Sequence, residues 1–113
     1  MSANTPEKQV QNDILRAFAT RSDMRLWRAN TGAARSGRRV IRFGVPGQAD
    51  LTGILPGGVR LEIEVKRAGV SAGRMSESQR NFKDMIERFG GVYVLARSVD
   101  DVWQVLRRHL HES

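Results

Sequence analysis

The chain has no cysteine and only two histidines, and these absences narrow the chemistry that it can perform. Without thiols there are no disulfides and no thiolate metal sites. The histidines, His109 and His111, both stand near the C-terminus and do not supply a His-rich zinc site. No apolar run is long enough to span a membrane and no signal-peptide core is present, so we expect a cytoplasmic protein without a membrane partner.

Positive charge is what the chain has in excess. Its 113 residues, 40% hydrophobic and 27% charged, fit a single domain over residues 1–113 with one modest core. The net charge of +7 and the isoelectric point near 11.2 favour a polyanionic partner, most simply nucleic acid. The alternative is a basic surface that has no specific partner.

Alternation predicts a strand over residues 61–66, and the rest of the chain is organised around it. Side chains of a strand point to opposite faces in turn, so this segment would have one apolar face and one charged face. The apolar face carries Leu61, Ile63 and Val65, and the charged face carries Glu62, Glu64 and Lys66. Residues 51–55 predict a second strand, and the Pro-Gly-Gly sequence between the two is typical of a hairpin turn.

The expected hairpin register brings two carboxylates together. If Leu55 pairs with Val59 across the turn, Asp50 falls opposite Glu64, although a bulge would shift the pairing by one residue. Carboxylates that face each other directly across a sheet repel and destabilise it. We therefore expect a cation between Asp50 and Glu64.

Oxygen ligands from two carboxylates suit a hard divalent ion such as Mg²⁺ or Mn²⁺. Lys66 lies on the same face as Glu64, where its ammonium group can hold a water or stabilise a developing negative charge. Together these groups predict hydrolysis of a phosphodiester. Glu62 shares this face, and we expect it to pair with Thr52 or with a nearby arginine.

Capping residues and apolar spacing predict three helices. The first begins at Pro6, the second follows Ser76 and the third follows Ser98. Ser76 and Gln79 have the spacing of a capping box. We expect Trp103 to lie in the core rather than to stack on a base. The stripes expected in the core are Val10, Ile14, Leu15, Ala17 and Phe18; Phe82, Met85, Ile86 and Phe89; and Val99, Val102, Trp103, Leu106 and Leu110.

Three further strands are expected, at residues 24–29, 40–43 and 92–96. The last is apolar without alternation, which predicts an interior strand that is buried on both faces and parallel to 61–66. The resulting order, α-β-β-β-β-α-β-α, predicts an α/β fold with a mixed central sheet flanked by helices. Residues 31–39 between two of the strands are expected to form a loop at a hairpin tip.

Four ordered blocks of the sequence resemble the VRR-NUC domain, the virus-type replication-repair branch of the PD-(D/E)xK nucleases. The blocks are GVPGQAD at 44–50, ILPGG at 54–58, EIEVK at 62–66 and SESQ at 76–79. Asp50 and the Glu64-Val65-Lys66 triplet match the D…(D/E)xK signature, and the resemblance covers about residues 7–106. It implies a restriction-endonuclease-like core and a stand-alone, phage-like nuclease of a bacterial or phage-infected cell.

The resemblance also implies a metal site. Asp50, Glu64 and the Val65 carbonyl would bind Mg²⁺ or Mn²⁺, and Glu7 would complete the shell directly or through water. Gln11, one turn further along the same helix, is the second candidate for the position in the metal shell assigned to Glu7. The alternative is that Glu7 is only a first-turn acid favoured by the helix dipole.

Gln79 has two competing interpretations. The resemblance implies that its side chain faces the metal site and helps to orient Lys66 or the attacking water. As a member of the capping box, the same side chain would instead bond back to the backbone amide of Ser76.

Arginines concentrate on the Gly- and Arg-rich segment at 31–42, and arginine forks suit phosphate oxygens. Such contacts to the DNA backbone would position the protein without reading sequence. The alternative is a solvated loop. Asn30 resembles a polar position near the active cleft of the family. The expected DNA-contacting residues are Arg28, Asn30, Arg35, Arg38, Arg39, Arg42, Arg67 and Arg74.

The expected activity is metal-dependent, structure-selective DNA endonuclease activity. The stand-alone members of the family imply a homodimer that cuts branched DNA such as Holliday junctions, because cutting both strands needs two active sites. Two alternative activities on the same scaffold are those of a linear-DNA exonuclease and of a restriction-type nuclease. A further alternative is a non-catalytic subunit that binds nucleic acid, with the acids and Lys66 as a salt-bridged cluster.

Overall fold

A computed structural model describes residues 6–29, 32–67 and 75–110 of the chain, and these residues form a mixed α/β fold. A four-stranded central sheet has helices packed on it, as the sequence predicted. No described helix has the length and apolar character needed to cross a membrane. In chain order the elements are α1 (Glu7–Phe18), β1 (Arg25–Arg28), β2 (Gly32–Ser36), β3 (Arg39–Phe43), β4 (Leu51–Leu55), β5 (Val59–Val65), α2 (Glu77–Arg88), β6 (Val92–Ala96) and α3 (Val99–Leu106).

The segment expected to be a loop contains one more strand than predicted. β2 pairs antiparallel with β3, and the two form a separate two-stranded sheet. The chain reverses at Gly37, whose φ of 63° lies in the left-handed region that glycine tolerates at little cost. The loop prediction was wrong because a turn this short uses only two residues of the Gly- and Arg-rich segment, which leaves the rest free to pair.

The central sheet has the order β1-β4-β5-β6. β4 and β5 pair antiparallel in the expected register, with Leu55 opposite Val59 and Thr52 opposite Glu62. β6 is parallel to β5, as predicted, but it is the last strand of the described sheet and not an interior strand. Tyr93 of β6 is nevertheless buried, because helices cover β6 on both sides.

One face of the sheet packs against α1 and α3 to form the main core. Leu61, Ile63 and Val65 of β5 are fully buried in it, as the alternation predicted. Trp103 of α3 contacts Phe18 edge to face, with their ring centroids 5.3 Å apart. Trp103 is therefore partly buried and packs against the core, on the side where it was expected.

α2 covers only part of the opposite face. It buries Phe82 and Ile86 against Tyr93, but Met85 and Phe89 of its expected core stripe are exposed, Phe89 by 79%. A helix buries one narrow stripe, and among the strands α2 packs mainly on β6. The sheet face on the β1 and β4 side therefore has no helix over it in the described part of the chain.

Close backbone packing joins the loop before β4 to the start of α2. Gly47 adopts a φ of 77°, and a Cβ atom added to it would lie 2.1 Å from the carbonyl oxygen of Ser78. No side chain fits in that space. The first turn of α2 is thereby held against the segment that leads to Asp50.

Gly47→Ala should destabilise the fold more than Gly57→Ala, which is the matched control. Both glycines have positive φ, but a Cβ on Gly57 would meet nothing within 4 Å. Overpacking should add about 2 kcal/mol to the backbone strain that both variants share. Urea denaturation measures both losses, and equal losses would contradict the close packing at Gly47.

Candidate functional site

Asp50 lies at the junction of three strands, immediately before β4. Its backbone carbonyl accepts a hydrogen bond from the Ala29 amide at 2.9 Å, which continues the pairing of β1 with β4. Its side-chain Oδ2 accepts from the Val65 amide at 2.8 Å. The carboxylate of Asp50 is therefore fixed against the end of β5, beside Glu64, as the expected register required.

Glu64 is the second carboxylate of this site and is buried. Its Oε2 accepts a hydrogen bond from Gln79 Nε2 at 3.0 Å. The Lys66 Nζ lies 3.6 Å from the same oxygen. The structure thus brings together Asp50, Glu64, Lys66 and Gln79, four of the five residues that the sequence assigned to catalysis.

The two interpretations of Gln79 are compatible. Its Oε1 accepts from the Ser76 amide at 2.9 Å, and its own backbone amide donates to Ser76 Oγ at 3.1 Å, which completes the capping box. Its Nε2 remains available for Glu64. An amide has an acceptor end and a donor end, so one side chain caps α2 and holds a carboxylate of the site.

Burial makes both acids reluctant to ionise. Burial raises the pKa of Glu64 to about 7; the charge of Asp50 adds to this rise, and Lys66 opposes it. Burial also raises the pKa of Asp50, while the hydrogen bond from the Val65 amide lowers it. The charge of Glu7 raises the pKa of both acids to a smaller extent.

Glu7, the fifth expected catalytic residue, is the first residue of α1 and is exposed. It is close enough to act on both acids electrostatically. Within residues 6–29, 32–67 and 75–110, however, no three His, Cys, Asp or Glu side chains converge on a point where they could hold a metal ion. Gln11 is half-buried one turn further along α1.

The residues present fit a hard divalent cation. Asp50 and Glu64 lie at the ends of adjoining strands and interact electrostatically, and both have a raised pKa. Lys66 supplies one positive charge against two carboxylates. A cation between the acids would stabilise their ionised forms, and their oxygens are the donors that Mg²⁺ and Mn²⁺ prefer.

Glu62 belongs to a separate network. Its side chain is fully buried; its Oε2 accepts hydrogen bonds from Thr52 Oγ1 and, at 2.8 Å, from Arg60 Nε. Both partners that the sequence offered as alternatives are therefore present. Glu62 is held by these bonds and does not join the acids of the candidate metal site.

Tyr93 was not singled out from the sequence. It stands beside Glu62 in the parallel pairing of β5 with β6, and its buried hydroxyl has no hydrogen-bond partner among the described residues. Burial, together with the charges of Glu64, Asp50 and Glu62, raises the pKa of its phenol. The hydroxyl therefore stays protonated near the acids, a placement that depends on a strand pairing between distant segments.

Four of the eight expected DNA-contacting residues have described side chains, and all four are exposed. Arg28 is exposed and donates to Asn12 Oδ1 of α1. Arg38, Arg39 and Arg67 are exposed. Arg35 and Arg42 lie on β2 and β3, where only the backbone is described. Asn30 and Arg74 lie outside the described residues.

A scan against protein-family models, a search of curated proteins and a search of solved structures found no match to this chain. The resemblance to the VRR-NUC domain therefore rests on the sequence blocks alone.

Glu64→Gln should flatten the pH dependence of stability in metal-free buffer. The folded pKa of Glu64, about 7, exceeds its ordinary value of 4.5, so the folded state binds the proton more tightly than the unfolded state. This contribution is complete below pH 4.5 and is lost as the pH rises through 7. The loss of this contribution should lower the free energy of unfolding by roughly 2–3 kcal/mol between pH 4.5 and pH 8.

Urea denaturation of the unmodified chain and of Glu64→Gln, at pH 4.5 and at pH 8, measures this difference. Glu87→Gln is the matched control, because Glu87 is an exposed carboxylate that pairs with Lys83 on the surface of α2. The control should keep the full pH dependence. The same slope in all three proteins would contradict a proton held on Glu64.

Proposed function

We propose that the protein is a Mg²⁺- or Mn²⁺-dependent deoxyribonuclease of the VRR-NUC type. Its active site, formed by Asp50, Glu64 and Lys66, would hydrolyse the phosphodiester bonds of DNA. One observation carries the proposal. Two carboxylates with raised pKa lie side by side at the ends of adjoining strands, and an ammonium group stands 3.6 Å from one of them. Such perturbed acids are typical of functional sites.

The metal ligands we propose are Asp50, Glu64 and the backbone carbonyl of Val65. Glu7 is exposed and acts on both acids from a distance, so we assign it a contribution through water. When bound, the ion would acidify water and offset the charge of the scissile phosphate.

The chain's own groups orient the reactants. Hydrolysis adds a water oxygen to phosphorus and breaks one ester P–O bond, and a proton passes to the departing oxygen. Lys66 is placed to donate hydrogen bonds to the attacking water or to a phosphate oxygen, where negative charge develops. Gln79 holds Glu64 Oε2 in a fixed position and is a positioning residue in this scheme.

The substrate we propose is DNA, bound without sequence readout. The net charge of +7 favours a polyanion, and Arg38, Arg39 and Arg67 are exposed cations available to backbone phosphates. One chain of this size carries one candidate site. A homodimer would place two sites on a branched substrate such as a Holliday junction.

A second candidate function is a non-catalytic nucleic-acid-binding subunit. The observation that favours it is the ion pair between Lys66 and Glu64, which neutralises one acid without any metal. The two functions differ in whether the site binds a divalent ion, and calorimetric titration with Mn²⁺ separates them.

Asp50→Asn, Glu64→Gln and Lys66→Gln should each lower Mn²⁺-dependent cleavage of labelled DNA by at least about 100-fold, because each removes a metal ligand or a stabilising charge. Glu87→Gln, remote from the acids on the outer surface of α2, should cleave normally. Titration with Mn²⁺ should release or absorb heat with the unmodified chain and not with Asp50→Asn. Full activity of purified Glu64→Gln would overturn the mechanism.

A substrate panel tests the form of the DNA. The panel contains a labelled four-way junction, a nicked duplex, a flap, a linear duplex and single strands, each with and without Mn²⁺. We expect the junction to be cut fastest, and light scattering to give twice the 12.7 kDa chain mass. Equal cutting of linear and branched DNA would contradict structure selectivity, and a monomer mass would contradict the paired sites.

A further inference from the structure

An open groove lies on the sheet face that α2 leaves uncovered. Its volume is about 330 Å³. Two large apolar side chains in it are half exposed: Trp27 by 46% and Ile54 by 47%. The lining residues are Trp27, Thr52, Gly53, Ile54 and Arg60. An indole left open to solvent in a groove is unusual for a residue whose burial is so favourable.

The groove adjoins the candidate catalytic site. Trp27 pairs with Thr52, which places its side chain on the same sheet face as Glu62. Because the pairing of β1 with β4 continues from Ala29 to Asp50, Trp27 is the diagonal neighbour of Asp50. The Cα atoms of diagonal neighbours in antiparallel strands lie roughly 7–8 Å apart. The side chain of Trp27 is therefore close to that of Asp50.

A fixed cation stands at the rim of the groove. Arg60 Nε donates to the fully buried carboxylate of Glu62 at 2.8 Å, while 54% of the Arg60 side chain remains exposed. Glu62 is itself held by Thr52. The guanidinium is thus anchored on one edge and open on the other, the arrangement in which arginine binds a phosphate oxygen.

We propose that the groove formed by Trp27, Ile54 and Arg60 binds an unpaired nucleobase of the DNA strand, with the base stacked on Trp27 and a backbone phosphate on Arg60. An aromatic face beside an arginine is the chemistry by which proteins hold single-stranded nucleic acid without reading its sequence. A base inside a duplex has no free face for the indole, so the substrate would present an unpaired nucleotide next to the cut. This rests on the proposed function for the identity of the polymer.

A nucleic acid fits this groove better than a second copy of the chain. A stable protein interface buries roughly 800 Å² on each partner, and only two exposed apolar side chains line this groove. The cation at its rim favours an anionic occupant such as a phosphate of the nucleic-acid backbone.

The test uses a short single strand that carries 2-aminopurine, with EDTA present so that nothing is cut. Stacking on an indole quenches this base analogue, so we expect its emission to fall when the unmodified protein binds. Trp27→Ala should abolish the quenching and weaken binding by about tenfold, as expected for loss of one base stack. Trp27→Phe should keep part of both effects. Phe89→Ala, which removes an exposed aromatic on α2, should change neither.

A strand of the same length made of abasic units separates stacking from charge. It should bind the unmodified protein and Trp27→Ala equally. Trp103→Phe leaves Trp27 as the single tryptophan, and its emission should respond to the normal strand and not to the abasic one. If this variant does not fold, the 2-aminopurine measurement on the unmodified chain decides alone.

Unquenched 2-aminopurine at saturation, or equal weakening of both strands by Trp27→Ala, would overturn the proposal. Shielding of Trp27 from a soluble quencher as the protein concentration rises would also overturn it, because a second copy would then cover the groove. The outcome is independent of cleavage. Quenching without Mn²⁺-dependent cutting would support the base-binding groove and contradict the proposed nuclease activity. Cutting without quenching would support the nuclease activity and contradict the base-binding groove.

Discussion

Two carboxylates side by side at the open end of the β4–β5 hairpin, Glu64 buried and Asp50 half-buried, are the constraint on which the site depends. Burial raises the pKa of both Asp50 and Glu64, and the charge of Asp50 raises that of Glu64 further. Three partners offset part of the free-energy cost of ionising these acids: the backbone amide of Val65, the side-chain amide of Gln79 and the ammonium group of Lys66. These partners leave the pair short of positive charge, which is the condition that favours a bound cation.

The first turn of α2 contacts both the segment that leads to Asp50 and the side chain of Glu64. Gly47, on the approach to Asp50, packs on the backbone of Ser78, and Gln79 reaches Glu64 from the same helical turn. The cap on Ser76 fixes that turn. A helix end, a glycine loop and a strand end are therefore one structural unit, and displacement of α2 would move both carboxylates relative to Lys66.

Features set by near neighbours in the chain were predictable. The Pro-Gly-Gly turn and the alternation in β5 were enough to predict the register of Thr52 with Glu62, and the Ser76–Gln79 spacing was enough to predict the cap. Composition was a poorer guide at 31–39, where glycine and arginine indicated a loop and the chain forms β2. A short turn needs few glycines, so their number does not measure its length.

The sequence by itself determined the hairpin, the caps, the charged face of β5 and the basic character of the surface, because each depends on residues close in the chain. Only the tertiary structure decided that α2 covers one side of the sheet, which leaves Phe89 and Trp27 exposed, and that β6 brings Tyr93 to the acids. Those outcomes depend on packing between segments far apart in sequence. Local periodicity shows that a side chain lies on an apolar face, but the neighbouring elements decide whether that face is covered.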